Sequence, residues 1–239
     1  MMNLPMHRFQ TLELHLVNPS DSRWMLESIV RFRSRVYAQR GALRSGDLAL
    51  DEADLTAWHL IAADGERLLG CIRFHVFDIC ELERFPAAAL ANSRCIFSEG
   101  DRRRCVEAIA GYASTRWASV GGPMVQAGGL AVDGAVRRSG IAAALCMAGN
   151  ALIRFVGASC GLVFAAVESG SADIGRRLGC SPIRSSPGPL EPLIDRFHDS
   201  QVSVMSIDPR AVTPEVDAQI DEIGFSLRRE FVKLEAAYG

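Results

Sequence analysis

The stretch LAVDGAVRRSGIAAAL, residues 130–145, is the strongest single indication of how this chain folds. An apolar run ends in a turn, Arg137 and Arg138 follow, and Gly140 opens an alanine-rich segment typical of a helix. A helix N-terminus exposes unpaired N–H groups and carries about half a positive charge from the helix dipole. With two arginines beside it, such a turn suits a phosphate or diphosphate. A helix start with solvated arginines and a packing glycine would have the same sequence, so both interpretations stay open.

The composition predicts a globular, cytoplasmic protein. Of its 239 residues 49% are hydrophobic, which is enough to bury a sizeable core. The formal net charge of −2 argues against a nucleic-acid partner, because general binding of nucleic acid needs a strong basic excess. No apolar run reaches the ~18 residues of a membrane span, and the N-terminus lacks the continuous apolar core of a secretory signal.

The cysteines and histidines predict neither a metal site nor a disulfide framework. The seven cysteines are scattered and form no CxxC, and the five histidines show no HxxxH or HExxH spacing. Reduced, mostly buried thiols are therefore expected. No cysteine is paired in sequence with a nearby His and Asp, which disfavours a covalent enzyme intermediate.

Periodicity along the chain predicts strands and helices in turn. Strands are predicted at 11–17, 57–64, 67–77, 124–132, 162–168 and 201–207. Helices are predicted after Ser20 or Asp21 up to Gly41, over about 101–119 and 139–157, in a short segment closed by Gly179, and from Thr213 and Pro214 onward. Irregular segments are predicted at 43–56, 78–100 and 182–192. This order indicates an α+β (mixed α/β) fold with antiparallel and parallel strand pairs.

The last helix carries one apolar stripe. Its members are Val216, Ile220, Ile223, Leu227, Phe231 and Leu234. Packing on the core is the plain interpretation. A homodimer seam stays open. We accordingly divide the chain into a domain at 1–210 and a C-terminal amphipathic helix at 211–239 that packs on it.

The order of elements around the turn resembles the GCN5-related N-acetyltransferase (GNAT) fold, over about residues 57–185. In that family an Arg/Gln-x-x-Gly-x-Gly/Ala turn, here Arg137, Gly140 and Ala142, holds the pyrophosphate of coenzyme A or the phosphopantetheine of a carrier protein. The resemblance implies a central mixed sheet flanked by helices and a donor, acyl-CoA or acyl-phosphopantetheine, with no permanently bound cofactor. It implies donor contacts at Leu130, Ala131, Val132, Arg137, Arg138, Ser139, Gly140, Ile141 and Ala142.

Three segments of the N-terminal half resemble acyl-homoserine-lactone synthases and long-chain N-acyl amino acid synthases. They are RSRVYAQRGAL (33–43), DEAD (51–54) and GCIRF (70–74), and the matching residues are Arg33, Tyr37, Asp51, Asp54, Gly70, Cys71 and Arg73. The resemblance implies transfer of a medium or long acyl chain from acyl-CoA or acyl carrier protein to a small primary amine, such as an amino acid. Arginine can clamp the acceptor's carboxylate and aspartate its ammonium. A salt-bridge network without an acceptor would use the same residues Arg33, Asp51, Asp54 and Arg73.

Two departures from these families bear on the chemistry. Lactone synthases carry Glu-x-Ser-Arg-Phe on the strand before the turn, where this chain has Gln126, Gly128, Gly129 and Leu130, so lactone synthesis is disfavoured. The position of the tyrosine acid of many acetyltransferases is here Gly175, which leaves Tyr37, a water or no dedicated acid.

Glu168 is the first candidate for the general base. It ends an apolar strand, where partial burial would raise its pKa, although a cap for the following helix explains it equally well. His75 is the alternative base, and a histidine in an alternating strand is more often structural. Two other functions stay open: a short-chain acetyltransferase and a non-catalytic module that binds acyl thioesters.

Overall fold

The computed structural model describes residues 12–18, 20, 23–42, 49–158, 160–185 and 188–238. The strands are β1 (Leu12–Val17), β2 (Trp58–Asp64), β3 (Arg67–Phe77), β4 (Met124–Val132), β5 (Cys160–Ala166), β6 (Cys180–Pro182), β7 (Arg184–Ser185), β8 (Gly188–Pro189), β9 (Leu193–Asp195) and β10 (Ser200–Ile207). The helices are α1 (Arg23–Gln39), α2 (Glu52–Leu55), α3 (Phe85–Ser93), α4 (Glu99–Val120), α5 (Ile141–Phe155), α6 (Ser171–Arg177) and α7 (Pro214–Tyr238). No helix of these residues has the length and apolar character needed to cross a lipid bilayer.

An eight-stranded mixed sheet forms the centre of the molecule. Its order is β1-β2-β3-β4-β5-β10-β6, β9 also pairs with β10, and β7 and β8 form a separate pair. Every pair in the sheet is antiparallel except β4 with β5, which is parallel. The predicted mixed sheet flanked by helices is therefore confirmed.

Helices cover both faces of the sheet and bury its apolar side chains. On one face α5 packs through Ile141, Leu145 and Leu152, and α7 packs over α5. On the other face α3 and α4 share a second cluster that includes Phe85 and Ile109, and α1 packs separately against β3 and β4. The cavity of the candidate site lies between these helices, next to β3, β4 and β5 in the middle of the sheet.

The last helix buries part of its apolar stripe, and the side chain of Leu234 lies outside the described residues. Ile220, Leu227 and Phe231 are buried in the main core. Arg154 of α5 bonds Asp217 at 2.5 Å and Asp221 at 2.9 Å, which adds polar contacts to the apolar ones. The division of the chain at residue 210 stays a prediction.

The two parallel strands, β4 and β5, are paired over only part of their length. Pairing of β4 with β5 runs from Met124 with Cys160 to Ala127 with Val163 and stops there. Beyond it β4 remains bonded to β3, and β5 remains bonded to β10 as far as Ala166. Beyond Ala127 the backbone of β4 therefore has no partner in β5, and the carbonyl of Leu130 accepts from Tyr37 instead.

Two helices lie in segments predicted to be irregular. α3 has the sequence FPAAALANS, whose Pro86 in the first turn is compatible with a helix start but whose apolar residues show little sidedness. α2 has only four residues and is capped by Asp51, which accepts the N–H of Asp54 at 3.0 Å. Both were missed because neither a four-residue segment nor a segment with apolar residues on all sides shows a clear period of 3.6.

Candidate active site

A cavity of about 710 Å³ opens where β4 and β5 part. Its walls come from α1, β3, β4, β5, α5, α6, the end of α3 and the loop before β10. One end reaches the turn before α5, and the other reaches arginines contributed by α1, β3 and the end of α3. The cavity is thus continuous between two cationic ends.

The turn before α5 has the geometry of an anion site. Gly140 is the N-cap at φ +89° and supplies no side chain to bond the first N–H groups of the helix. Arg138 also lies in the left-handed region, at φ +66°. The hydroxyl of Ser139 is buried and has no hydrogen-bond partner among the described residues. Unpaired donors at the positive end of a helix favour a bound anion.

Four of the nine predicted donor-binding residues line the cavity: Leu130, Val132, Arg137 and Ala142. The side chains of Ala131 and Ile141 instead lie in the hydrophobic core. Those two positions can contribute to a donor site only through their backbone groups.

Arg40, directly after α1, is a cation that is not among the residues matching the synthase families. It lines the cavity near the turn, and burial together with repulsion from Arg137 lowers its pKa. Two arginines held close enough to repel each other are stabilised when an anion lies between them. Arg40 belongs to the segment at 33–43, but its suitability for binding an anion depends on its proximity to Arg137, which only the fold creates.

A bulge in β4 separates the donor end from the second cationic end. Gly129 lies at φ +65°, and a Cβ built on it would come within 2.4 Å of Arg33 Nη1, so this position requires glycine. The hydroxyl of Tyr37 donates to the carbonyl of Leu130 at 3.3 Å. Burial raises the pKa of Tyr37, and the nearby Arg33 offsets this only in part. The phenol therefore stays protonated and can donate a proton beside the bulge.

Asp54 gathers three arginines at the second cationic end. Its Oδ1 accepts from Arg33 at 2.7 Å and Arg73 at 2.6 Å, and its Oδ2 accepts from Arg94 at 2.5 Å. The side chain is fully buried. Burial alone would raise the pKa of Asp54, but the three guanidinium groups lower it well below its usual range. Arg94, which ends α3, is the member that sequence reasoning missed.

The arginine cluster carries one more positive charge than the carboxylates bonded to it. Arg33, Arg73 and Arg94 line the cavity, whereas Asp54 does not. The only other carboxylate bonded to these three in the described part of the chain is Asp51, at 2.7 Å from Arg94. Arg33 Nε and Arg94 Nε are buried without a partner among the described residues. Asp54 therefore joins the three arginines in a buried network, and two guanidinium N–H groups of that network have no partner among the described residues.

His75 lies away from the cavity, and its role as the alternative general base stays a prediction that this placement does not favour. It is 6% exposed, does not line the cavity, and bonds through Nε2 to the carbonyl of Ala53 at 2.7 Å. His59 bonds the carbonyl of Asp54 at 2.9 Å in the same way. The two imidazoles thereby hold α2, and with it Asp54, against the sheet.

These two histidines should make the fold sensitive to mild acid. Burial lowers the pKa of His59 to about 4 and that of His75 to about 4. In the unfolded chain they protonate near pH 6.5, so between about pH 6.5 and 4 the unfolded state binds more protons and stability falls as the pH falls. The expected loss is about 3 kcal/mol per histidine by pH 4, measured as urea unfolding at pH 7, 5.5 and 4.5. Equal unfolding free energies at pH 7 and 4.5 would contradict it.

Glu168 lies at the rim of the cavity, and the expectation that it is partly buried is wrong. It is exposed, although it lines the cavity. Both carboxylate oxygens accept from one backbone N–H, that of Gln201, at 3.0 and 3.1 Å, which fixes the orientation of the carboxylate. Its role as a base stays a prediction.

A histidine, an aspartate and a cysteine meet at the cavity from distant parts of the chain. The Nδ1 of His198 is hydrogen-bonded to Asp195 Oδ2, and Asp195 Oδ1 accepts from the backbone N–H groups of Ile96 at 2.8 Å and Phe197 at 3.0 Å. The ligand-capable atoms of Cys95, Asp195 and His198 all lie within 4.8 Å of one another. Sequence reasoning missed this set because Cys95 is far from DRFH, residues 195–198, and Asp-x-x-His alone is a weak pattern.

The protonation of this group follows from its burial. Burial alone would raise the pKa of Asp195, but hydrogen bonds from His198 and from the backbone of Ile96 lower it overall. Burial and the adjacent Asp195 raise the pKa of Cys95 well above its usual value. Asp195 is accordingly a carboxylate and Cys95 an un-ionised thiol, which is a poor nucleophile.

The sheet order, the parted parallel strands and the turn before α5 define the class: the chain has the GNAT fold. Among solved structures it is similar to FeeM, an N-acyl amino acid synthase from uncultured soil microbes, at 13% identity and a TM-score of 0.52 over 87% of this chain and 96% of that one. It is also similar to BjaI, a CoA-dependent acyl-homoserine lactone synthase, at 13% identity and a TM-score of 0.52 over 89% of this chain and 90% of that one. The AHL synthase LasI is similar at 12% identity and a TM-score of 0.51, over 86% of this chain and 92% of that one. No family model and no curated protein matches the sequence.

Proposed function

We propose that the protein is an N-acyltransferase that moves an acyl group from acyl-CoA or an acyl carrier protein to the primary amine of a small acceptor bearing a carboxylate. The observation that carries the proposal is one cavity joining the cationic turn before α5 to the buried arginine cluster. A phosphorylated donor suits the first end and an anionic acceptor suits the second. The likeness in fold to an N-acyl amino acid synthase and to acyl-homoserine lactone synthases supports it.

The parted strands supply the place for the thioester. The pantetheine arm can bond the free edge of β4 as an added strand would. The N–H of Leu130 or Val132 would then face the thioester carbonyl and stabilise the oxyanion that forms on attack. The acceptor amine attacks directly, and no acyl-enzyme is needed.

The position of the acceptor follows from the arginine cluster. A carboxylate that reaches Arg33, Arg73 or Arg94 would satisfy the excess positive charge and exchange water for charge-assisted hydrogen bonds. Its amine would then lie beside the bulge at Gly129, where the donor end begins. An amino acid is the simplest compound with both groups.

The reaction is proposed to take place in the cytoplasm. The six cysteines whose side chains are described are all free thiols, which suits a reducing compartment. Thiol release from donors on coenzyme A and on acyl carrier protein distinguishes the two carriers of the acyl group.

The decisive experiment measures release of free thiol from acyl donors with and without an amino acid mixture. Donors of two to sixteen carbons, on coenzyme A and on acyl carrier protein, are compared, and the acylated product is identified by mass spectrometry. Amine-dependent release that increases with chain length supports the proposal. Release only from acetyl donors would indicate a short-chain acetyltransferase, and tight donor binding without release would indicate a binding module.

Narrowing the apolar part of the cavity should change the preferred chain length. Cys146 of α5 lines the cavity, and burial raises the pKa of its thiol to about 12, which reflects apolar surroundings. Cys146→Phe is expected to lower turnover of a long-chain donor about 10- to 100-fold and to spare the acetyl donor, because the larger ring takes up space that the chain would fill. The measurement is kcat/KM for both donors. Equal losses for both would place the acyl chain elsewhere.

A further inference from the structure

We propose that His198, oriented by Asp195, is the base that removes a proton from the attacking amine. This inference rests on the proposed function and deepens it, because it names the residue on which the acceptor's reactivity depends. It replaces Glu168 as the first choice for that role.

The placement of His198 is what a base in this cavity requires. The ring lines the cavity, and the side chain is 18% exposed. Nδ1 is bonded to Asp195, so Nε2 is the nitrogen on the opposite side, and within the described ranges it has no hydrogen-bond partner. A carboxylate on one nitrogen sets the tautomer that leaves the other with a free lone pair.

The surroundings of the ring point to the reacting atoms. Tyr37 stands edge-on to His198 with the ring centroids 5.9 Å apart. The hydroxyl of the same Tyr37 bonds the carbonyl of Leu130, at the point where β4 leaves β5. The imidazole is therefore next to the segment against which the thioester would lie, and the arginine cluster lines the same cavity.

Asp195 is built to hold its position. It is fully buried, and Ile96 and Phe197 donate backbone N–H groups to Oδ1 while His198 occupies Oδ2. A carboxylate fixed by three donors cannot rotate away, so the imidazole keeps one orientation. Asp195 acts through His198 and is a positioning residue.

The chemistry balances without a further reagent. The lone pair of the amine nitrogen attacks the thioester carbonyl carbon and forms the C–N bond, while Nε2 of His198 takes the proton that the nitrogen sheds. The C–S bond then breaks, and its electron pair leaves on the thiolate. Solvent, or Tyr37 relaying the proton that His198 has taken, supplies the proton that completes the free thiol, so both side chains regain their starting state. The pKa of a thiol, near 8.5, makes it an easy leaving group.

The test compares His198→Gln with the wild type in the thiol-release assay, alongside donor binding and melting temperature. Loss of a general base lowers kcat by about 10²- to 10⁴-fold. Donor affinity should stay unchanged, because His198 is not part of the donor turn. The melting temperature should fall by a few degrees at most if the amide of glutamine still donates to Asp195, and circular dichroism checks that the variant is folded. In His198→Ala, added imidazole should restore part of the rate. Asp195→Asn should lower kcat at least about tenfold with KM unchanged.

His15→Gln is the matched control, because this histidine is exposed on β1, and it should keep the wild-type rate. Wild-type kcat in His198→Gln would overturn the assignment, as would a loss found only in Glu168→Gln. An acyl group on Cys95 by intact mass, or a rate abolished by chelation, would also overturn it in favour of a covalent or metal-dependent route. Lack of turnover in the wild type overturns the proposed function together with this inference, whereas turnover kept by His198→Gln overturns the inference alone.

Discussion

Asp54→Asn is expected to lower the free energy of unfolding by about 3–5 kcal/mol, which is a large share of the 5–15 kcal/mol typical of a domain. The amide removes the one charge that faces three guanidinium groups, and the side chain at this position is fully buried. Arginine cannot release its proton to relieve the strain. The variant would therefore hold mutually repelling cations around an uncharged residue. Urea unfolding at pH 7 followed by circular dichroism measures the change.

Asp51→Asn provides the control for that measurement. Asp51 belongs to the same cluster, but its side chain is 43% exposed and it bonds Arg94 alone among the arginines. Asparagine caps a helix about as well as aspartate, so the start of α2 is preserved. A change below about 1 kcal/mol is expected here. If both variants lost the same small amount, the cluster would not be the structural centre described above.

Arg138→Glu combined with Gly140→Asp is expected to weaken binding of coenzyme A beyond detection, by about 100-fold or more. The pair replaces one positive charge and places two negative charges at the N-terminus of α5, where the helix dipole and Arg137 favour an anion. Aspartate at φ +89° is also strained, which disfavours the present shape of the turn. Isothermal titration with coenzyme A measures the loss, and circular dichroism checks that the chain remains folded.

Arg228→Glu combined with Ser226→Asp is the matched control, since it changes the net charge by the same amount on the exposed side of α7. Its affinity for coenzyme A should equal that of the wild type. Unchanged affinity in the double variant of the turn would refute the donor site. Equal weakening in both variants would indicate that overall charge, and not this turn, governs binding.

The elements nearest the turn could be predicted from local sequence alone. The strand predicted at 124–132 is β4 with the same bounds, and the helix predicted at 139–157 is α5, shorter by two residues at each end. The period of the side chains and the glycines at the ends are properties of neighbouring residues, so no knowledge of the rest of the chain is needed. The charged residues of the DEAD and GCIRF segments were likewise identified, although whether they bind an acceptor or one another could not be decided.

The sequence by itself determined the sheet-and-helix order, the cationic turn and the GNAT resemblance, because each depends on short-range patterns of apolar residues, glycines and charges. Only the tertiary structure decided that Asp54 is buried among three arginines, that Arg40 is near enough to Arg137 to be repelled by it, and that Glu168 is exposed. It also brought Cys95 to His198 and Asp195. Such contacts join residues tens of positions apart, and their geometry is set by how the sheet bends and the helices pack. Burial and charge, which decide the chemistry of a carboxylate or an imidazole, exist only after that packing has formed.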